Sequence, residues 1–289
     1  MRRLEHLIKD VRFNSDNIET SRFDDINLLK IFNDAQSMIQ SLIVKRDSSG
    51  KYFPGTDLVN IVASTEEYSL PTDAFAENFI SSVSTLLSNS LYDPLPLITL
   101  KEKNIKIGYI ISGSVVILSP LPSSSITDGL QIKYVKKLPT LSYRVGRIQS
   151  YISATSITLV AGYVDTDFTE YEDFVTVVDV NGVVKQAGIR VALFAGGVIT
   201  TTDALTGIAA NDYVVVGKYA TSHSGLPDVC EGILTSLVNR MMFAYSASSE
   251  FNIESMLTAD QRAIIEDLFA RADHDVKYPP VTNGEFLNY

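Results

Sequence analysis

Residues 24–44 read DDINLLKIFNDAQSMIQSLIV. Within them Ile26, Leu29, Phe32, Ala35, Ile39 and Leu42 recur every three or four positions. That spacing winds one apolar stripe along a helix. Asp24 opens the helix, because a carboxylate there can accept from a free N–H of the first turn. Asp47-Ser48-Ser49-Gly50 breaks it after Val44. Upstream, Leu4, Leu7, Ile8 and Val11 mark a shorter helix, and 14–21 is polar and turn-like. The pattern returns at the far end with Leu226, Cys230, Ile233, Leu234, Leu237, Met241 and Tyr245, and again with Ile264, Ile265, Leu268 and Phe269. Pro227 sits where a first-turn proline costs no hydrogen bond. Thr258-Ala259-Asp260-Gln261 is a capping-box sequence with Thr258 at the N-cap. An amphipathic helix cannot bury its stripe alone. The simplest solution brings both chain ends into one bundle whose core holds Ile26, Leu29, Phe32, Ala35, Ile39, Leu42, Ile233, Leu237, Met241, Ile265 and Leu268.

Between the ends the period changes from helix to strand. Val59 to Ala63 and Glu67 to Leu70 read as short strands, and 75–87 fits either state. Ile107 to Ile111 and Val115 to Leu118 form a hairpin pattern around Ser112-Gly113-Ser114. Leu130 to Lys136 alternates, with Leu130, Ile132 and Tyr134 on one face. From about 142 to 221, short β-branched runs follow one another: 147–148, 156–160, 174–178, 183–184, 189–194, 198–201 and 213–216. Asn181-Gly182, Gly196-Gly197 and Asn211-Asp212 punctuate them, and Asn-Gly is a strong hairpin signal because both positions tolerate positive φ. Such spacing predicts a small β-barrel or sandwich. The expected class is α+β. A helical platform with short strands is built from 1–141 and 222–272, a β module is inserted at 142–221, and an extended arm follows at 273–289. That arm lacks helical period but carries Tyr278, Pro279, Pro280, Phe286, Leu287 and Tyr289, aromatic and stiff residues suited to binding a partner.

A chain of 289 residues can fold as one large domain or two small ones without disulfide or metal. Its one cysteine, Cys230, lies on an apolar stripe and reads as a buried thiol. A formal net charge of −10 argues against a general nucleic-acid-binding surface. No apolar run reaches the length of a membrane span. No apolar segment follows Arg2-Arg3, so no signal peptide is expected. Phosphate loops, dinucleotide fingerprints and nucleophile elbows do not occur. His6, His223 and His274 stand in no metal-ligand spacing. The acidic run 165–173 lacks the glycine and closing glutamate of a calcium loop and reads as a solvated loop. Arg144 and Arg147 read as a salt-bridged surface at the insert boundary. No cofactor, metal or catalytic residue is expected, and the chain is read as not an enzyme.

Three runs carry a family resemblance. The first joins Val11-Arg12, Asp16 and Thr20-Ser21-Arg22-Phe23-Asp24-Asp25-Ile26 to Leu29, Phe32-Asn33-Asp34-Ala35-Gln36 and Ile39. The second is Glu67-Tyr68-Ser69-Leu70-Pro71-Thr72-Asp73-Ala74-Phe75. The third is Val116-Ile117-Leu118-Ser119-Pro120-Leu121-Pro122 followed by Leu130-Gln131-Ile132-Lys133-Tyr134. With the returning helices after Leu226-Pro227, they resemble tailed-phage head-to-tail adaptor (connector) proteins. The likeness covers about 1–141 and 222–272, and the β insert departs from it. It implies a structural virion protein at the neck, made in the host cytoplasm, with no cofactor. Such proteins form rings, usually dodecameric, below the portal protein. They join it to tail proteins (nozzle, tail tube or fibre) while DNA passes through the lumen without specific binding. Two other classes share features of the chain: a capsid decoration or tail-spike-attachment protein, and a small calcium-dependent binding protein or hydrolase.

Overall fold

A computed structural model describes residues 3–14, 23–46, 51–76, 79–87, 91–142, 145–161, 174–246 and 257–265. The chain mixes α and β structure, its middle is rich in strands, and six of those strands close into a barrel.

Helix α1 (Leu4–Asn14) buries Leu4, Leu7, Ile8 and Val11. Helix α2 (Asp25–Arg46) is capped as its sequence implies, with the Asn27 N–H donating to Asp24 Oδ1 at 2.7 Å. Its buried stripe runs through Leu28, Ile31, Phe32, Ala35, Ile39 and Ile43, with Leu29 and Leu42 half-buried at the edges. Ile26 is not in the core; it is 59% exposed. It precedes Leu28 by two residues, about 200° around a helix, so it faces the opposite side. Helix α3 (Glu231–Ser246) contributes Ile233, Leu234, Leu237, Val238, Met241 and Met242. Cys230 lies one residue earlier, in the 3-10 turn Asp228–Cys230, where burial pushes its thiol up to about 11. One apolar cluster contains all these side chains together with Leu257 and Ile265. The capping box at Thr258 forms in both directions at 3.1 Å, and Gln261 Nε2 reaches Ser236 Oγ of α3 at 2.9 Å. Leu268 lies outside the described residues.

Residues 54–135 hold more than short strands on a helical platform: they have a core of their own. Strands β1 (Pro54–Ile61), β2 (Glu67–Ser69), β3 (Ile80–Leu86), β4 (Tyr92–Pro94), β5 (Gly108–Ser112), β6 (Val115–Ser119) and β7 (Ile126–Val135) make two antiparallel sheets. Their orders are β1-β7-β3-β4 and β2-β6-β5. Tyr68, Tyr109, Val116 and Leu118 of the smaller sheet pack with Ile61, Val83, Leu130, Ile132 and Tyr134 of the larger. The ambiguous 75–87 region resolves as strand at β3 because β7 and β4 pair with it on both sides.

The chain then passes through β8 (Thr140–Leu141) into β9 (Val145–Ser153), β10 (Ser156–Leu159), β11 (Phe174–Val178), β12 (Val184–Ala195), β13 (Val198–Thr201) and β14 (Tyr213–Val216). These last six close as β10-β13-β12-β11-β14-β9, with β9 pairing β10 to complete the ring. Ile148, Ile157, Val175, Val177, Ile189, Ile199, Leu205 and Val214 fill it. Val184 of the 183–184 run and the whole 189–194 run belong to one bent strand, β12, with register shifts against β11 and Gly188 at φ +67. Between β11 and β12, Asp179 Oδ1 accepts from the Asn181 and Val183 N–H groups at 2.8 Å each, and Gly182 takes φ +84. Among the described residues Arg147 finds no acidic partner for the expected ion pair. Its guanidinium donates to the amide oxygen of Asn211, because the β9–β14 pairing sets it opposite Tyr213 beside that turn. Arg144 and the acidic run 165–173 lie outside the described residues. The chain leaves the barrel through β15 (Ala220–Thr221).

Candidate functional site: the clasp between platform and barrel

The barrel is joined to the rest by two strands lying side by side. β8 and β15 pair in parallel, Thr140 with Ala220 and Leu141 with Thr221. Neither the Thr140 nor the Ser142 N–H is left open: they donate to Tyr219 O at 3.0 Å and Thr221 O at 2.9 Å.

Helix α2 grips the entering strand with three amides. Asn33 donates from Nδ2 to Leu141 O at 3.1 Å and accepts the Leu141 N–H at 2.7 Å. Gln36 Nε2 donates to Pro139 O at 3.1 Å, and its Oε1 accepts the Gly225 N–H at 3.4 Å. Gln40 Nε2 donates to Lys136 O at 2.9 Å and its Oε1 accepts the Leu138 N–H at 3.2 Å. Spacings of three and four put the amides on one flank of α2, beside the apolar stripe. Gln36 and Gln40 are buried. A buried amide without partners would cost more than the bond itself contributes, so these residues fix the path of 136–141.

The sandwich supplies the opposite jaw. Asp73 accepts from Tyr134 Oη at 2.6 Å and pairs with Lys136 Nζ at 3.2 Å. The same ammonium stands 5.9 Å from the centre of the Tyr219 ring, and Tyr219 Oη donates to Lys137 O at 3.3 Å. Burial first, and Asp73 second, push both phenols well above their ordinary range. The N-terminal end ties the exiting strand: the Leu4 N–H donates to Ser222 O at 2.9 Å, and the Arg3 guanidinium lies 5.2 Å from the Tyr213 ring centre. His223 is buried there, and burial, then Arg3, push its imidazole down. A Cβ on Gly182 would stand 2.5 Å from the Cβ of His223, so the β11–β12 turn sits directly on this segment.

Clefts of about 710 and 430 Å³ flank the clasp. Asn33, Asp73, Lys137 and Lys218 line the larger, and Phe53, Leu138, Val183 and His223 the smaller. The polar groups that build the clasp are engaged with one another, so the arrangement orients one folded unit against another. Among the described residues no three His, Cys, Asp or Glu side chains are placed to hold a metal ion, and no helix is long and apolar enough to cross a membrane.

Of the residues expected to form the bundle core, Phe32, Ala35, Ile39, Ile233, Leu237, Met241 and Ile265 are buried together. Tyr278, Pro279, Pro280, Phe286, Leu287 and Tyr289 of the arm lie outside the described residues. The clasp itself was not anticipated. Its signal was present as Asn33, Gln36 and Gln40 along the flank of one apolar stripe, but a polar flank looks the same whether it meets water or a buried backbone. No known protein family model matches this chain, and no curated protein matches it either.

Proposed function

We propose that this chain is a structural protein of a tailed-phage particle, a head-to-tail adaptor. Copies form a ring below the portal and join the capsid vertex to the tail around the DNA channel. In this reading α1, α2 and α3 are the bundle that both chain ends build, and the ring is made from it. The barrel is an added module mounted on that ring, facing tail proteins. Residues 273–289 supply an arm for the portal or a neighbouring copy. DNA slides past a surface whose net charge of −10 gives phosphates little to hold.

The clasp carries the reading. Asn33 and Gln36, from the run that resembles adaptors, spend their amides on holding the strand that leads into the barrel. Tyr134 and Asp73, from the other two resembling runs, form the second jaw. Residues that look like an adaptor's thus meet where the chain departs from the adaptor pattern. A device that orients a closed β module on a platform serves assembly, where angles between parts must repeat from copy to copy.

The test mixes the purified full chain with its portal protein and images the product by negative-stain microscopy. A stoichiometric ring capping the portal is expected. Absence of any complex across a wide range of salt concentrations would reject the reading.

A further inference from the structure

Three parts of the chain close on one imidazole. The exit segment carries it at His223, directly after β15. The platform reaches it through Arg3, which forms an antiparallel bridge with His223 just ahead of α1. The barrel reaches it through the β11–β12 turn. Gly182 packs so closely on the ring that a Cβ there would stand 2.6 Å from Cγ and 2.7 Å from Nδ1. Thr221 Oγ1 donates to the carbonyl of that same glycine at 2.9 Å. His223 Nδ1 and Ser222 Oγ share a hydrogen bond at 3.0 Å, and both side chains are buried. The barrel thus rests on the platform across a histidine, the side chain whose ordinary titration falls between pH 5 and 8.

The surroundings suit that imidazole only while it is neutral. Arg3 sets a guanidinium near it, and Arg3 Nε is itself buried with no hydrogen-bond partner. The amino terminus and His6 of α1 also oppose a positive charge on the ring. Among the described residues the one carboxylate that favours such a charge is Asp179 of the β11–β12 turn, whose Oδ1 is held by the Asn181 and Val183 N–H groups. On the remaining side runs the cleft of about 430 Å³. Lys136 and Lys137 stand in it among Phe53, Leu138 and Val183, and no described residue lining it is acidic. A proton on His223 therefore finds cations, a committed carboxylate and an apolar wall, while the open cleft offers the ring a way to water.

We infer that His223 is an acid-released latch: neutral, it holds the β11–β12 turn down on the platform, and protonated, it leaves for the cleft and lets the barrel tilt about the β8–β15 pair. The latch needs no second copy and stands apart from the adaptor reading. Its sign follows from the surroundings. The latched form favours the neutral ring, so latching is fully supported above about pH 6.5 and weakens as pH falls through the lowered value. Release leaves both cores intact, because the helical and barrel clusters are complete without Gly182 or His223. A local charge change thus biases a two-state element without unfolding either unit.

Two measurements on the full chain decide it. In the first, the histidine rings are titrated by NMR, with His6→Gln and His274→Gln removing the other two signals in turn. His223 should titrate below 6.5, and a midpoint at or above that value overturns the inference. In the second, Ile26→Cys on α2 and Leu193→Cys on β12, both exposed positions, are spin-labelled while Cys230 stays buried. The distribution of distances between the labels should be narrow at pH 7.5 and broad at pH 5. Amide exchange at 179–184 and 221–223, corrected for the intrinsic effect of pH, should rise about tenfold over that interval while α2 and β9 stay protected. His223→Gln cannot take up the charge and should abolish both changes, and Arg3→Gln, which removes the nearby guanidinium, should shrink them. An unchanged distribution at pH 5, exchange that rises equally in both cores, or a His223→Gln chain that broadens like the wild type would each overturn the inference. Should His223→Gln fail to fold, the ring titration and the wild-type distances still decide.

Discussion

The barrel and the helical core solve the same burial problem in opposite ways. The barrel draws its core from Ile148 to Val216, a single continuous stretch that closes on itself. The helical core draws on 4–53, on Val135 and Leu141, and on 226–265, so chain segments some two hundred positions apart must meet before any of it is buried. A closed barrel has no open sheet edge and asks nothing of its host. A helix with one apolar stripe asks for partners. The difference is one of sequence range: the barrel core is local to one stretch, while the helical core needs both stretches to meet, and we expect the first to fold without the second.

The sharpest way to break that comparison is to cut at the clasp. Replacing 143–218 with a short Gly/Ser linker keeps β8, β15, α1, α2 and α3, and should leave a cooperative helical melt by circular dichroism. Ending the chain after Thr221 instead removes α3 and should abolish that melt while the barrel keeps its own transition. Equal loss in both variants would mean that the two units share a core.

Next in size is a core truncation. Phe32→Ala opens a cavity in the helical cluster and should cost about 3–5 kcal/mol. Hydrogen exchange should then accelerate across α1, α2 and α3 and leave β9 to β14 protected. Acceleration in both units would erase the distinction.

A smaller effect sharpens the role of the clasp. Gln40→Ala leaves the Leu138 N–H and Lys136 carbonyl without their partner, at a cost of about 1–3 kcal/mol. Exchange at 136–141 should rise before exchange in either core. An unchanged rate there would mean that α2 does not steer the entering strand.

The smallest expected effect is in pH. His223 is pushed below its ordinary value, so its contribution is fully present above about pH 6.5 and is lost as pH falls through the lowered value. Tyr134 and Tyr219 are pushed up, so theirs is present below about pH 10 and is lost as pH rises beyond it. Thermal melts of His223→Gln should show a flatter acid limb than wild type and the same alkaline limb. Parallel acid limbs would remove His223 from the accounting.

What the sequence determined by itself was local. The cap at Asp24, the capping box at Thr258 and the stripes of α1 and α3 are set by side chains within a turn or two of each other. The hairpin turns at Gly113, Gly182 and Gly196-Gly197 follow from glycine's freedom at positive φ, which all four use. Strands 174–178, 198–201 and 213–216 were legible to the residue because β-branched runs end at such turns. Tertiary structure alone decided three other things. Ile26 fell out of the core because which face of α2 is buried depends on what packs there, and a stripe of mixed spacing admits two neighbouring choices. The sandwich gained a core because sheet partners are chosen across distance: β1 pairs with β7 more than sixty residues away. Asn33, Gln36 and Gln40 became a clasp because an amide's role is set by the group that meets it, and here that group is a backbone strand about a hundred residues along the chain.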